Sequence, residues 1–120
     1  MSDISYDLDI TILDSLRELL ENKFAELIGT FKTDSARRIA LIENAIAEQN
    51  FNVISQEAHG LKGSCRNLGA NSLALVCDQM EQDANAGDGS QMEQLFSAIE
   101  QQFAAVAAAM DDLVERPSGY

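Results

Sequence analysis

Apolar residues that recur at steps of three and four along four successive stretches constrain the fold of this chain most strongly. Such steps place the side chains on one face of an α-helix. No window alternates with period two for long enough to predict a sheet. The first stretch predicts a helix over residues 22–49, whose inward side chains are Phe24, Ile28, Phe31, Ser35, Ile39, Ile42 and Ile46.

The three later stretches are bounded by residues that start or end helices. Asn50 is a suitable N-cap for the second helix, and Gly69 stands just past its end. Asn71 opens the third helix, and Ser90 with Glu93 predicts a capping box for the fourth. The inward residues are Ile54, Ala58, Leu61, Cys65 and Leu68 in the second helix, Leu73, Val76, Met80 and Ala84 in the third, and Met92, Phe96, Ile99, Phe103, Val106, Met110 and Leu113 in the fourth.

These four helices, joined by short connections, predict an all-α fold, an antiparallel four-helix bundle. The length of 120 residues suits one domain with one core, which we place at residues 1–115. Residues 116–120 are expected to form a flexible C-terminal tail. A shorter apolar pattern predicts a short additional N-terminal helix across one end of the bundle, with Ile12, Leu13, Leu16, Leu19 and Leu20.

The charge balance limits the partners of the chain. It has 20 acidic and 8 basic residues, a formal net charge of −12. Because phosphate backbones and anionic lipid surfaces attract basic proteins, this charge argues against nucleic acid and membrane partners. No apolar run approaches the roughly 18 residues of a spanning helix, and the acidic N-terminus lacks the basic region of a signal peptide. We therefore expect a cytoplasmic monomer.

The two cysteines, Cys65 and Cys77, have neither a CxxC spacing nor another spacing typical of metal ligands. In a cytoplasmic helical domain we expect both thiols to stay reduced and to serve as small core residues. With a single histidine in the chain, neither a closed metal site nor a resident cofactor is expected.

The only histidine, His59, lies in the second bundle helix next to the inward Ala58. A rotation of about 100° per residue takes it off the core face, and its neighbours one turn away are polar or glycine, so the imidazole is predicted to be exposed. Lys62, at i+3, places an ammonium near the ring, and that charge taken alone would favour the neutral, nucleophilic imidazole. The same ammonium would suit the oxygens of a phosphoryl group on the ring.

Two glycines, Gly60 and Gly63, stand inside the same predicted helix, where each costs about 1 kcal/mol relative to alanine. Gly63 is at i+4 from His59, so its missing side chain leaves room for another protein to approach the imidazole. Gly60 faces another way, and we expect it to ease the packing of a neighbouring helix. An exposed histidine with a cation and a bare glycine beside it is predicted to be a docking site for a nucleophile.

Residues 58–70, AHGLKGSCRNLGA, closely resemble the signature of histidine-containing phosphotransfer (HPt) domains of multistep phosphorelays, roughly A-H-x-L-K-G-[SA]-[SAC]-x-x-L-G-A. Cys65 and Gly60 depart from the commoner Ser or Thr at their positions. The resemblance implies a short N-terminal helix and a four-helix bundle, in agreement with the periodicity. It also implies a phosphocarrier between two partners, the receiver domain of a hybrid sensor histidine kinase and the receiver domain of a response regulator.

Carried over to this chain, the resemblance makes His59 the phosphoacceptor, through Nε2, and assigns the phosphoryl oxygens to Lys62. Gly63 would give clearance to the receiver, and Gln56 would add a hydrogen bond. Mg²⁺ would be bound by the partner receiver only, so the carrier itself needs no cofactor. Because the chain lacks a Gly-rich phosphate loop and an ATP lid, it is not expected to be an ATP-dependent kinase.

The receiver is expected to dock around His59, on the face that also carries Lys62 and Arg66. Leu27 and Leu41, on the preceding long helix, are candidate apolar contacts.

Two other functions stay open at this point. A helical adaptor or inhibitor of a two-component signalling protein would bind its partner without carrying phosphate, and it would keep its function when His59 is replaced. The dimerisation and phosphoacceptor domain of a sensor kinase would need an H-E-x-x-x-P-like box. Here Gly60 follows the histidine, and the only proline is Pro117.

Overall fold

Five helices account for most of the chain in the computed structural model, which describes residues 7–115. They are α1 (Ile10–Leu20), α2 (Lys23–Glu48), α3 (Phe51–Asn67), α4 (Asn71–Asn85) and α5 (Met92–Glu115). The predicted tail at 116–120 and the start of the predicted domain at 1–6 lie outside the described residues.

Helices α2 to α5 form the bundle, and each packs against its neighbour in the chain. Helix α5 returns to contact α2, which closes the ring, while α1 touches the bundle mainly through α2. The all-α fold, a four-helix bundle with a short additional N-terminal helix, is therefore confirmed. None of the helices in the described part of the chain is both long and apolar enough to cross a lipid bilayer.

The helix ends follow the predicted caps in α3 and differ from them in α5. The side chain of Asn50 accepts a hydrogen bond from the backbone N–H of Val53 at 3.3 Å, and Gly69 adopts a positive φ of 79° just past the end of α3. The predicted capping box is wrong. The backbone N–H of Ser90 donates to the Asp88 carboxylate at 3.0 Å, so the chain turns there and α5 begins only at Met92.

The core contains most of the predicted inward residues, with small rotations of the buried face. Ala45 is buried beside a half-buried Ile46, and Cys77 is buried beside a half-buried Val76. An α-helix has 3.6 residues per turn, whereas alternating steps of three and four average 3.5. The buried face therefore rotates gradually around the helix, onto residues that neighbour the predicted ones. Aromatic contact joins α2 to α5, where the rings of Phe31 and Phe103 lie 6.2 Å apart.

Helix α1 packs through one narrow side. Leu13 is completely buried, but Leu19 is 78% exposed, so its predicted place in the apolar face is wrong. The segment before α1 is tied to the turn between α3 and α4, because the N–H of Asp9 donates to the carbonyl of Gly69 at 2.8 Å. Arg17 donates to a backbone carbonyl near the end of α5 at 3.1 Å.

Candidate functional site

Helix α3 holds the only histidine of the chain on the outer surface of the bundle. Its inward residues Ala58 and Leu61 are completely buried. His59, the residue after Ala58, keeps 69% of its side chain exposed. The exposure that the helical periodicity predicted is therefore confirmed.

A glutamate from α4 fixes the orientation of the imidazole. Nδ1 of His59 lies 2.9 Å from Oε2 of Glu81, whose side chain is only 17% exposed. Because an ionised carboxylate can only accept hydrogen bonds, Nδ1 carries the proton of this contact. In the neutral ring the lone pair is then on Nε2.

Lys62 is held between two carboxylates of α4. Its Nζ lies 2.6 Å from Oε1 of Glu81 and 3.1 Å from Oδ1 of Asp78, and its side chain is 13% exposed. The second oxygen of Asp78 accepts a hydrogen bond from Gln82 at 2.6 Å. His59, Lys62, Asp78 and Glu81 thus form one charged group between the two helices, called here the α3–α4 ion cluster.

The members of the α3–α4 ion cluster support one another's charged forms. Glu81 first, and then Asp78, raise the pKa of Lys62. Lys62 lowers the pKa of Glu81, with a further contribution from the hydrogen bond to His59, and it also lowers the pKa of Asp78. At neutral pH two carboxylates therefore surround one ammonium. They offset the positive charge that the sequence argument treated as isolated.

The two glycines of α3 make room for different neighbours. A Cβ atom on Gly63 would meet no atom within 4 Å, so the surface at this position is open. A Cβ on Gly60 would collide with the guanidinium of Arg38 on α2, which donates to Glu57 at 2.9 Å. The expectation that Gly60 eases the packing of a neighbouring helix is confirmed, and Arg38 is the group that needs the space.

Two further polar residues lie on the exposed side of α3. Gln56, one turn before His59, is exposed and makes no side-chain hydrogen bond with any described residue. Arg66 is exposed two turns after His59, and its charge contributes to the low pKa of Asp78. Both side chains are therefore available to a partner that approaches the imidazole.

The proposed apolar contacts on α2 differ in their surroundings. Leu41 is 37% exposed. Leu27 is half-buried and lines a groove of about 240 Å³ between α2 and α3, together with Thr30, Phe31, Asp34, Ser64, Asn67 and Leu68.

Both cysteines belong to the core, as predicted. Cys65 and Cys77 are completely buried and form no disulfide. Contact with Cys65, together with burial, raises the pKa of the Cys77 thiol, which therefore stays protonated. In the part of the chain that the structure describes, no group of three or more His, Cys, Asp or Glu residues could hold a metal ion.

Comparison with known families bears directly on this site. The sequence profile of the Hpt domain family matches residues 26–114. This range includes His59, Gly60, Gly63 and the whole α3–α4 ion cluster. This chain belongs to the Hpt domain family. Hpt proteins are phosphocarriers that relay phosphoryl groups from the receiver domains of hybrid histidine kinases, so the protein is a phosphotransfer component of a phosphorelay.

Solved structures agree with the Hpt assignment. The chain is 30% identical to histidine-containing phosphotransfer protein B (HptB) from Pseudomonas aeruginosa PAO1, with a TM-score of 0.87 over 92% of this chain and 96% of that one. The maize protein ZmHP2 shares the fold at 19% identity, with a TM-score of 0.79 over 90% and 89% of the two chains. The HPT domain of a sensor hybrid histidine kinase from Shewanella does so at 13% identity, with a TM-score of 0.74 over 93% and 97%. A search of curated proteins found no match.

The carboxylates of this Hpt site were missed by the sequence analysis. Asp78 and Glu81 lie on a different predicted helix from the histidine and belong to no local motif. A signal was nevertheless present, because residues equally distant from a short turn come to the same level in an antiparallel helix pair. His59 and Glu81 are each eleven residues from Ala70, and Lys62 and Asp78 are each eight residues from it.

Proposed function

We propose that this Hpt protein carries its phosphoryl group on Nε2 of His59. The group would come from the aspartate of a hybrid kinase receiver domain and pass to the aspartate of a response regulator. The observation that supports this assignment most strongly is an exposed imidazole whose Nδ1 is engaged by Glu81 at 2.9 Å. That contact leaves the lone pair on the other ring nitrogen.

Beyond the nucleophilic imidazole, the carrier needs to contribute only position and charge to the reaction. The Nε2 lone pair attacks the phosphorus of the receiver's acyl phosphate. A P–N bond forms, the P–O bond to the aspartate breaks, and the aspartate leaves with the electron pair. The proton on Nδ1 stays in place, so the ring gains positive charge, which the carboxylate of Glu81 stabilises. The same step in reverse passes the phosphoryl group on.

The residues around the imidazole would assist this reaction in different ways. The open surface at Gly63 lets the receiver approach the ring. Lys62 would contact phosphoryl oxygens, and Gln56, exposed one turn before the histidine, would add a hydrogen bond. Mg²⁺ bound in the receiver would neutralise the phosphoryl charge during transfer, and the carrier would hold no cofactor of its own.

The proposal extends to the setting of the protein. We propose a cytoplasmic monomer, because four apolar faces close one core within a single chain. We also propose that it has no ATP-dependent kinase activity, since its sequence contains no Gly-rich phosphate loop. Its formal net charge of −12 disfavours nucleic acid and anionic membranes as partners.

Phosphotransfer from receiver domains labelled with acetyl phosphate tests the assignment. Wild type is expected to take up acid-labile, alkali-stable label, whereas His59→Gln should take up none, because the amide cannot act as the nucleophile. Circular dichroism should show the same helix content for both proteins, since the side chain is exposed. Equal labelling of the two proteins would disprove the role of His59. Receiver binding without labelling of wild type would support an adaptor instead.

A further inference from the structure

Asp78 contacts the phosphotransfer site only through Lys62. Its Oδ1 lies 3.1 Å from the Lys62 ammonium, and Gln82, one turn further along α4, fixes its second oxygen at 2.6 Å. Among the described residues, no hydrogen bond or ion pair joins Asp78 to His59. It therefore differs from Glu81, which contacts both the ammonium and the imidazole.

We propose that Asp78 is a positioning residue that sets how readily phospho-His59 gives up its phosphoryl group. It does so by competing with that group for Lys62. The inference rests on the proposed role of His59 and concerns the position of the transfer equilibrium, not the ability to transfer.

The competition follows from the charges of the α3–α4 ion cluster. A phosphoryl group on Nε2 brings about two negative charges next to the cluster at neutral pH. The only ammonium of the cluster is already matched by two carboxylates. The ammonium of Lys62 has three N–H donors, and two of them are directed at Asp78 and Glu81. A phosphoryl group that takes the third must therefore compete with both carboxylates for the positive charge.

Glu81 and Asp78 should have opposite effects on the stability of phospho-His59. Glu81 accepts the hydrogen bond from Nδ1, so it stabilises the positive charge that the ring gains on phosphorylation. Asp78 has no such contact with the imidazole, and its charge holds the Lys62 side chain against α4. Asp78 should therefore make phospho-His59 less stable and favour onward transfer to a receiver.

The test is the equilibrium distribution of label between this protein and a receiver domain phosphorylated with acetyl phosphate. Asp78→Asn is expected to shift the distribution toward phospho-His59 by about two- to fivefold, the size of one partly exposed ion pair. Asp83→Asn is the matched control. It makes the same charge change on the same helix. Among the described residues, the Asp83 side chain accepts a hydrogen bond only from Gln79. The ratio of phosphorylated carrier to phosphorylated receiver should therefore stay at the wild-type value.

Two more variants separate competition for Lys62 from other effects. Asp78→Glu keeps the charge and should retain the wild-type ratio. In a Lys62→Gln background, Asp78→Asn should produce no further shift, because the ammonium for which it competes is gone.

Each outcome decides between the explanations. Equal shifts in Asp78→Asn and Asp83→Asn would overturn the proposal, because only total charge would then matter. A shift that persists without Lys62 would also overturn it, in favour of direct repulsion by the carboxylate. Failure of wild type to take up any label would instead refute the role of His59, on which the proposal depends.

Discussion

Two glycines one turn apart in the same helix lack side chains for different reasons. Gly60 serves the protein itself, because Arg38 of α2 occupies the space that a Cβ atom would need. Gly63 faces open surface within one turn of His59. Only the second glycine is thus available for the approach of a receiver, and only the second occupies a glycine position of the HPt signature.

Substitutions of Gly63 should separate stability from phosphotransfer. Gly63→Ala is expected to raise the free energy of unfolding by about 0.5–1 kcal/mol, because alanine favours the helix and its methyl group meets no neighbour. Gly63→Glu should also remain folded, yet take up no label, since its side chain would fill the open surface beside His59 and block the receiver. Urea denaturation and the labelling assay measure the two effects.

Gly60→Ala is the control for this prediction. Its methyl group would displace the Arg38 guanidinium from Glu57, so the gain in stability should be smaller than for Gly63→Ala. Equal gains would contradict the account of Gly60, and normal transfer by Gly63→Glu would contradict the account of Gly63.

Helix α2 contributes one polar side chain to the apolar core that the described residues form. Ser35 is completely buried, and its hydroxyl oxygen has no hydrogen-bond partner among the described residues. Ser35 lies on the inward face, as the helical periodicity predicted. Its hydroxyl loses contact with water on folding without receiving a replacement.

Ser35→Ala is therefore expected to stabilise the protein by about 1 kcal/mol, because it removes an unpaired buried hydroxyl and introduces a better helix former. Thermal and urea denaturation would measure the change. Ser97→Ala on the exposed side of α5 provides the comparison, since that hydroxyl remains in contact with water. A loss of stability in Ser35→Ala would show that the hydroxyl has a partner in solution.

Across the whole bundle, helical periodicity predicted more of the structure than local sequence motifs did. The four apolar faces and the exposure of His59 follow from steps along single helices, and the structure agrees with them. The pairs His59–Glu81 and Arg38–Gly60 join different helices. These contacts therefore depend on how far each helix is shifted along its neighbour, which the periodicity of a single helix does not reveal. The prediction of a capping box was wrong because the backbone N–H of Ser90 donates to Asp88 rather than to Glu93.

The core and the surface of the bundle should respond differently to truncation. Ile99→Ala in the first half of α5, where the side chain is completely buried, is expected to reduce the free energy of unfolding by about 2–5 kcal/mol. Leu75→Ala on α4 should change it by less than about 0.5 kcal/mol, because that side chain is 66% exposed. A large loss in Leu75→Ala would mean that this surface is covered in solution, for example by a second copy of the chain.

The single exposed imidazole on α3 also has a consequence for the timing of a relay. Two receiver domains that both need His59 cannot occupy it at once, so the donor must dissociate before the acceptor can bind. The dissociation rate of each complex then sets an upper limit on signal flow, however fast the chemistry is. Unphosphorylated carrier in excess would compete with phosphorylated carrier for the same acceptor domain. The cellular amount of this protein would therefore control the strength of the response as well as its speed.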